Sequence, residues 1–155
     1  MGWALTGNTI EYLVANYPKG TRILELGSGD GTKTLLDHGF KVFSIEQDPD
    51  WAFKHHKDYI LSPLKLTESG KWWFDPEDLQ DDMTFEYDLL LIDGPTGHTP
   101  DYDNCRQGIL DHLDLFDLTV PILVDDVDRP EELELFNILS KGRESSLHGR
   151  FGMIL

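Results

Sequence analysis

Four short apolar runs, each with acid at or beside its end, constrain the fold of this chain more than any other feature. They are Thr21-Arg22-Ile23-Leu24-Glu25-Leu26, Lys41-Val42-Phe43-Ser44-Ile45-Glu46, Tyr87-Asp88-Leu89-Leu90-Leu91-Ile92-Asp93 and Val120-Pro121-Ile122-Leu123-Val124-Asp125. Short continuous runs of branched and long aliphatic residues fit strands buried on both faces, as in a parallel sheet, rather than the alternation of a half-exposed sheet. Tyr59-Ile60-Leu61 reads as a weaker fifth strand.

Helical segments separate the runs. Residues 30–38 carry Leu35 and Leu36 and stop at Gly39, and residues 50–57 follow Pro49. Residues 102–116 place Ile109, Leu110, Leu113 and Phe116 roughly on one face. Residues 130–139 open with Pro130-Glu131-Glu132, a proline and first-turn acids that favour helix initiation. Alternating strands and helices predict βαβ units around a parallel sheet. The expected architecture is a single-domain Rossmann-like α/β fold over residues 1–155, with residues 145–155 as an antiparallel C-terminal edge turning at Gly149 or Gly152. Residues 65–86 are the least regular part and read as a loop insertion or short hairpin.

The 155 residues hold 39% hydrophobic side chains, enough for a packed core, and no apolar stretch long enough for a membrane span. Thirteen basic against 29 acidic residues give a formal charge of −16, which repels phosphate backbones and anionic membranes, so neither nucleic acid nor membrane is an expected partner. Cys105 is the single cysteine, so no internal disulfide forms, and a reducing, cytoplasmic setting is the default expectation.

The segment Glu25-Leu26-Gly27-Ser28-Gly29-Asp30-Gly31 is a strand entering a glycine-rich turn and then a helix. Glycines let the backbone turn sharply and approach a ligand without a Cβ in the way. Glu25 and Asp30 are poor neighbours for a diphosphate, which argues against NAD(P) and an oxidoreductase, and no G-K-[S/T] follows to make a P-loop. Glu46 ends the next strand, 19 residues after Gly27, where a carboxylate can accept both hydroxyls of a ribose. Together these residues describe a cationic nucleoside ligand.

The run Glu25 to Gly31, followed by Ser44-Ile45-Glu46-Gln47-Asp48-Pro49, resembles the first motif and second acidic strand end of class I S-adenosylmethionine (SAM)-dependent methyltransferases. That resemblance implies SAM as cofactor. It puts Glu25 near the methionine moiety, Gly27, Ser28, Gly29 and Gly31 in the turn around the cofactor, and Glu46 on the ribose. Gln47, Leu61, Pro63 and Leu64 are its candidates for the adenine.

Asp93, Asp125 and Asp126 end two further strands, and in an open α/β sheet strand C-termini form the ligand rim. Carboxylates crowded there raise one another's pKa unless a cation neutralises them, and Mg²⁺ or Mn²⁺ suits such ligands. The three residues fall where catechol-type, cation-dependent O-methyltransferases carry their metal ligands, with Asp126 in place of an Asn. The wording Leu91-Ile92-Asp93-Gly94-Pro95-Thr96-Gly97, Arg106 and Asp126-Val127-Asp128-Arg129 is similar to plant glucuronoxylan O-methyltransferases, which tend to carry His at the position of Asp125.

The function these resemblances imply is O-methylation of a small hydroxylated or saccharide acceptor. Asp93 would position that acceptor, and His98, the histidine of the Asp93 loop, could act as base. Trp72 and Trp73 could wall the acceptor by stacking, and Arg106 could face an anionic one. The chain barely exceeds a core fold. A non-catalytic nucleoside-binding module, a homodimer, or a subunit whose acceptor site a partner completes therefore stand as alternatives.

Overall fold

The computed structural model describes residues 5–95 and 105–155. The apolar runs form strands β1 (Arg22–Leu26), β2 (Lys41–Glu46), β6 (Leu89–Ile92) and β7 (Ile122–Asp125), with β3 (Tyr59–Leu61) beyond β2. Strands β8 (Ser145–His148) and β9 (Phe151–Ile154) complete a seven-stranded sheet ordered β3-β2-β1-β6-β7-β9-β8. Pairings are parallel from β3 through β7, whereas β9 runs antiparallel to both β7 and β8. This is a single-domain Rossmann-like α/β fold, and its strand order reverses between β1 and β6.

Alternation along each strand divides the core into two layers. Leu24, Leu26, Leu90, Ile92, Ile122 and Val124 point to one face, and Ile23, Leu89, Leu91 and Leu123 to the other. Helices α1 (Gly7–Asn16) and α2 (Asp30–Asp37) cover the second face through Ile10, Leu13 and Leu35. The first face is covered by α3 (Pro76–Asp82), α4 (Pro130–Leu139) and a two-stranded hairpin of β4 (Leu64–Leu66) and β5 (Trp72–Phe74). Burial on both faces is what the continuous apolar runs required.

Two expected helices take other forms. Residues 50–57 hold turns: the Asp48 carboxylate accepts the Asp50 N–H at 2.9 Å, and Phe53 adopts φ 62°, a left-handed conformation that stops a right-handed helix. In place of a helix over 102–116, Cys105–Asp111 and Leu113–Leu115 are 3₁₀ turns. Ile109 and Phe116 still reach the core, but a Cβ on Gly108 would lie 2.5 Å from Trp73 Cβ, so this segment is shaped by its seat on Trp73. Helix α4 has the expected bounds, and Gly149 (φ 71°) makes the β8–β9 turn.

Two helices were not anticipated. Asp75 caps α3 by accepting the Glu77 N–H at 3.0 Å, with Pro76 in the first turn, and Thr6 caps α1 through the Thr9 N–H.

Candidate functional site

The turns that follow β1 and β6 touch backbone to backbone. Gly27 has φ 88°, and a Cβ there would lie 2.7 Å from the Asp93 carbonyl oxygen. A Cβ on Gly94 would lie 2.6 Å from the Gly27 Cα. The glycine turn and the Asp93 turn thus form one continuous rim at the reversal of strand order, where open α/β sheets bind ligands.

Below the glycine turn lies a buried polar network centred on Glu25. Its Oε1 accepts Thr32 Oγ1–H at 2.7 Å and Ser44 Oγ–H at 2.9 Å. With its proton given to Glu25, Ser44 must accept from His56 Nε2, 3.0 Å away, while His56 Nδ1 accepts the Asp58 N–H. Ser28 Oγ links to Tyr59 OH at 2.6 Å and to Thr32 Oγ1 at 3.1 Å. Burial pushes the Glu25 carboxyl up to about 8 despite the two hydroxyl donors. Glu25 therefore supports the turn from beneath.

Glu46 ends β2 and is buried. Its Oε1 accepts the Ser28 N–H at 2.7 Å and its Oε2 the Asp48 N–H at 2.8 Å, so one carboxylate ties the glycine turn to the loop after β2. Burial raises its pKa against these bonds. Beside it, Gln47 Oε1 is buried without a hydrogen-bond partner, a polar atom placed to receive a donor. Gly29 caps α2, and a Cβ on Gly31 would meet the Leu5 side chain at 2.9 Å. Beside the glycine turn, Glu46 and Gln47 offer a carboxylate and an unpaired amide oxygen, hydrogen-bond acceptors that fit the hydroxyls and amine of a nucleoside such as that of SAM. Leu61, Pro63 and Leu64 lie at and just beyond the end of β3, with Leu61 and Pro63 exposed.

The opposite side of the rim is held by Arg106. Its guanidinium donates to the carbonyls of Asp93 (3.1 Å), Pro95 (3.2 Å) and Asp125 (3.3 Å), and to Asp126 Oδ2 at 2.8 Å. Only 6% exposed, it is buried between the turns after β6 and β7 and does not face outward toward an anionic acceptor. Asp126, at φ 59°, also meets Arg150 Nη2 at 2.6 Å and Arg129 Nη2 at 3.4 Å. Burial works to raise the Asp126 carboxyl, but the arginines prevail and hold it below the ordinary range.

Asp93 and Asp125 behave differently. Both are pushed up, Asp93 the further, first by burial, then by their charged neighbours: Asp125 beside Asp93, and Asp126 beside Asp125. Asp125 Oδ1 is buried with no hydrogen-bond partner. Asp93, Asp125 and Asp126 each bring one oxygen within 4.8 Å of the others, a spacing that could hold a metal ion. The charge around Asp126 fits a metal poorly, because its two oxygens already face three guanidinium groups.

His98 lies outside the described residues. Trp73 is fully buried, stacked on His112 with ring centroids 5.2 Å apart, and belongs to the core rather than to an acceptor wall. Sequence reasoning missed the arginine set. Arg129 and Arg106 stood in the quoted motifs, but nothing marked Arg150 as their companion.

Solved structures share this fold. A methyltransferase-like protein from Silicibacter pomeroyi matches with a TM-score of 0.59 at 19% identity, over 97% of this chain and 85% of that one. Precorrin 8W decarboxylase from Methanobacterium thermoautotrophicum matches at 0.56 and 16% identity, over 95% and 87%. A TehB-like SAM-dependent methyltransferase from Corynebacterium glutamicum matches at 0.50 and 14% identity, over 95% and 85%. The fold resembles that of SAM-dependent methyltransferases generally. This likeness is one of fold alone and favours neither the catechol-type nor the glucuronoxylan group. No family model and no curated protein matches the sequence. Among the described residues no helix is long and apolar enough to cross a membrane.

Proposed function

We propose that this chain is a SAM-dependent methyltransferase whose acceptor is a small hydroxylated molecule or saccharide. The observation that carries the reading is the contact of Gly27 with the Asp93 turn, which joins the glycine turn to a pair of carboxyl groups on one rim.

In this reading the turn from Gly27 to Gly29, with Ser28, gives the cofactor close access to backbone, Glu46 receives the ribose hydroxyls and Gln47 meets the base. Glu25 keeps the turn in shape. When bound, SAM supplies a methyl group on a sulfonium, open to in-line displacement by an acceptor oxygen. Asp93, the more exposed of the carboxyl pair, orients the acceptor hydroxyl. A carboxylate oxygen of the pair receives the hydroxyl proton as the acceptor oxygen becomes an ether. His98 is a further candidate base from its place in the Asp93 loop.

The test is isothermal titration with SAM and, separately, with NAD. SAM binds in the micromolar range, NAD gives no heat, and Glu46→Ala weakens SAM at least about tenfold, the loss of one charge-assisted contact. A folded chain that ignores SAM overturns the proposal.

A further inference from the structure

The three-carboxylate rim looks like a metal site by spacing, but one of its three carboxylates is already held by arginines. Among the described residues five carboxyl groups gather at the ends of β6 and β7 and the start of α4: Asp93, Asp125, Asp126 and Glu132, with the more exposed Asp128 3.7 Å from Arg150. Three guanidinium groups stand among them. Arg106 lies 3.5 Å from Asp93, 2.8 Å from Asp126 and 4.0 Å from Glu132. Arg129 lies 3.4 Å from Asp126 and 3.9 Å from Glu132, and Arg150 lies 2.6 Å from Asp126. A divalent ion here would have to sit against Asp126 with guanidinium nitrogens on both of its oxygens, where like-charge repulsion is weakly screened.

We infer that this rim is an arginine-held acceptor site that works without a divalent metal, with Asp126 as the buried counter-ion of Arg106, Arg129 and Arg150 rather than a ligand. Asp93 and Asp125 are the working pair, and the unpartnered Asp125 Oδ1 is the atom that keeps the pair able to take a hydrogen. The matching acceptor is a neutral hydroxyl. A hydroxyl can donate its hydrogen to Asp125 Oδ1, whereas a carboxylate or phosphate has none to give and would meet like charge among the carboxyl groups of the rim. This assignment rests on the acceptor reading above and narrows it to uncharged hydroxyl donors.

The experiment is a titration of the full chain with Mn²⁺ alone, followed by calorimetry and by the electron paramagnetic resonance of free Mn²⁺, with and without SAM. The wild type is expected to show no Mn²⁺ binding tighter than millimolar. Arg129 and Arg150 are 42% and 47% exposed, so both can be changed at little risk to the fold. The double variant Arg129→Met/Arg150→Met frees Asp126 Oδ1, leaving only Arg106 on Oδ2, and is expected to gain Mn²⁺ affinity at least about tenfold, a gain removed by adding Asp93→Asn. Micromolar Mn²⁺ binding by the wild type that Asp126→Asn abolishes overturns the inference. So does a folded double variant, verified by its thermal melt, that gains no affinity. A chain silent to SAM would sink the cofactor reading alone, since the Mn²⁺ comparison is complete without the cofactor.

Discussion

Arg106 Nη1 donates to Asp126 Oδ2 at 2.8 Å while the same guanidinium holds the carbonyls of Asp93, Pro95 and Asp125. One side chain from a 3₁₀ segment thus locks together the turns after two neighbouring strands. Removing one partner of a buried ion pair leaves an uncompensated charge and costs about 3–5 kcal/mol. Asp126→Ala is expected to lose stability of that order in urea denaturation. Arg22 and Asp88 pair at 2.9 Å on the surface, at 43% and 44% side-chain exposure, and Asp88→Ala should cost about 1 kcal/mol or less. Similar losses from the two substitutions would contradict the clamp assigned to Arg106.

Glu25 makes stability depend on pH in the direction opposite to a salt-bridged acid. Its carboxyl titrates at about 8 in the fold against an ordinary 4.5. Below the ordinary value both folded and unfolded chains hold the proton, and the favourable contribution is intact. As pH rises from about 4.5 to about 8 the unfolded chain releases the proton and the folded chain must keep it, so stability falls. Glu25→Gln preserves an oxygen for Thr32 and Ser44 and removes the titration. The difference in melting temperature, wild type minus variant, should therefore fall steadily across this window. A flat difference would show that Glu25 is ionised in the fold at neutral pH.

Gly27 and Gly149 separate two costs of a side chain at positive φ. At Gly149 (φ 71°) a Cβ meets nothing within 4 Å, so Gly149→Ala costs only the left-handed penalty of about 1–2 kcal/mol. At Gly27 (φ 88°) the Cβ also strikes the Asp93 carbonyl at 2.7 Å, a backbone atom that cannot swing aside. Overpacking adds about 1–3 kcal/mol, for a total of about 2–5 kcal/mol. Gly27→Ala should therefore lower stability more than Gly149→Ala and also abolish SAM binding, read by denaturation and by titration.

What the sequence made legible was whatever depended on neighbours along the chain. Strands β1, β2, β6 and β7 are continuous apolar runs, and α4 announces itself through Pro130-Glu131-Glu132. The carboxylates at their ends reach one rim because parallel strands place every C-terminus on the same side. Local signals also misled. Pro49 appeared to start a helix, but the Asp48 side chain bonds the backbone in its place and Phe53 reverses the chain's hand. The Asp75-Pro76 cap of α3 was visible but lay in a segment read as irregular. The convergence on Asp126 of Arg106 and Arg150, 20 residues before and 24 after it, could not be read at all. It exists only once β9 lies beside β7, and it leaves both oxygens of Asp126 facing guanidinium groups.

That placement of β9 depends on the missing side chain of Gly152. Gly152 pairs with Val124 across the antiparallel junction, and a Cβ on it would lie 2.5 Å from Cδ2 and Cε2 of Phe136 on α4. Its backbone is not left-handed, so the conflict is one of packing alone. The absent side chain lets α4 sit down on the sheet beside the β7 terminus that carries Asp125 and Asp126. Gly152→Ala is expected to cost about 1–3 kcal/mol. Phe136→Leu alone should also destabilise by leaving a void. In the double variant the smaller ring-free side chain makes room for the methyl group, so the combined loss should fall short of the sum by about 0.5 kcal/mol or more. A double-mutant cycle in urea measures this coupling. Strict additivity would mean that α4 and β9 adjust independently, and the arginine lock would then have to be held by Arg106 and Arg129 without help from the position of β9.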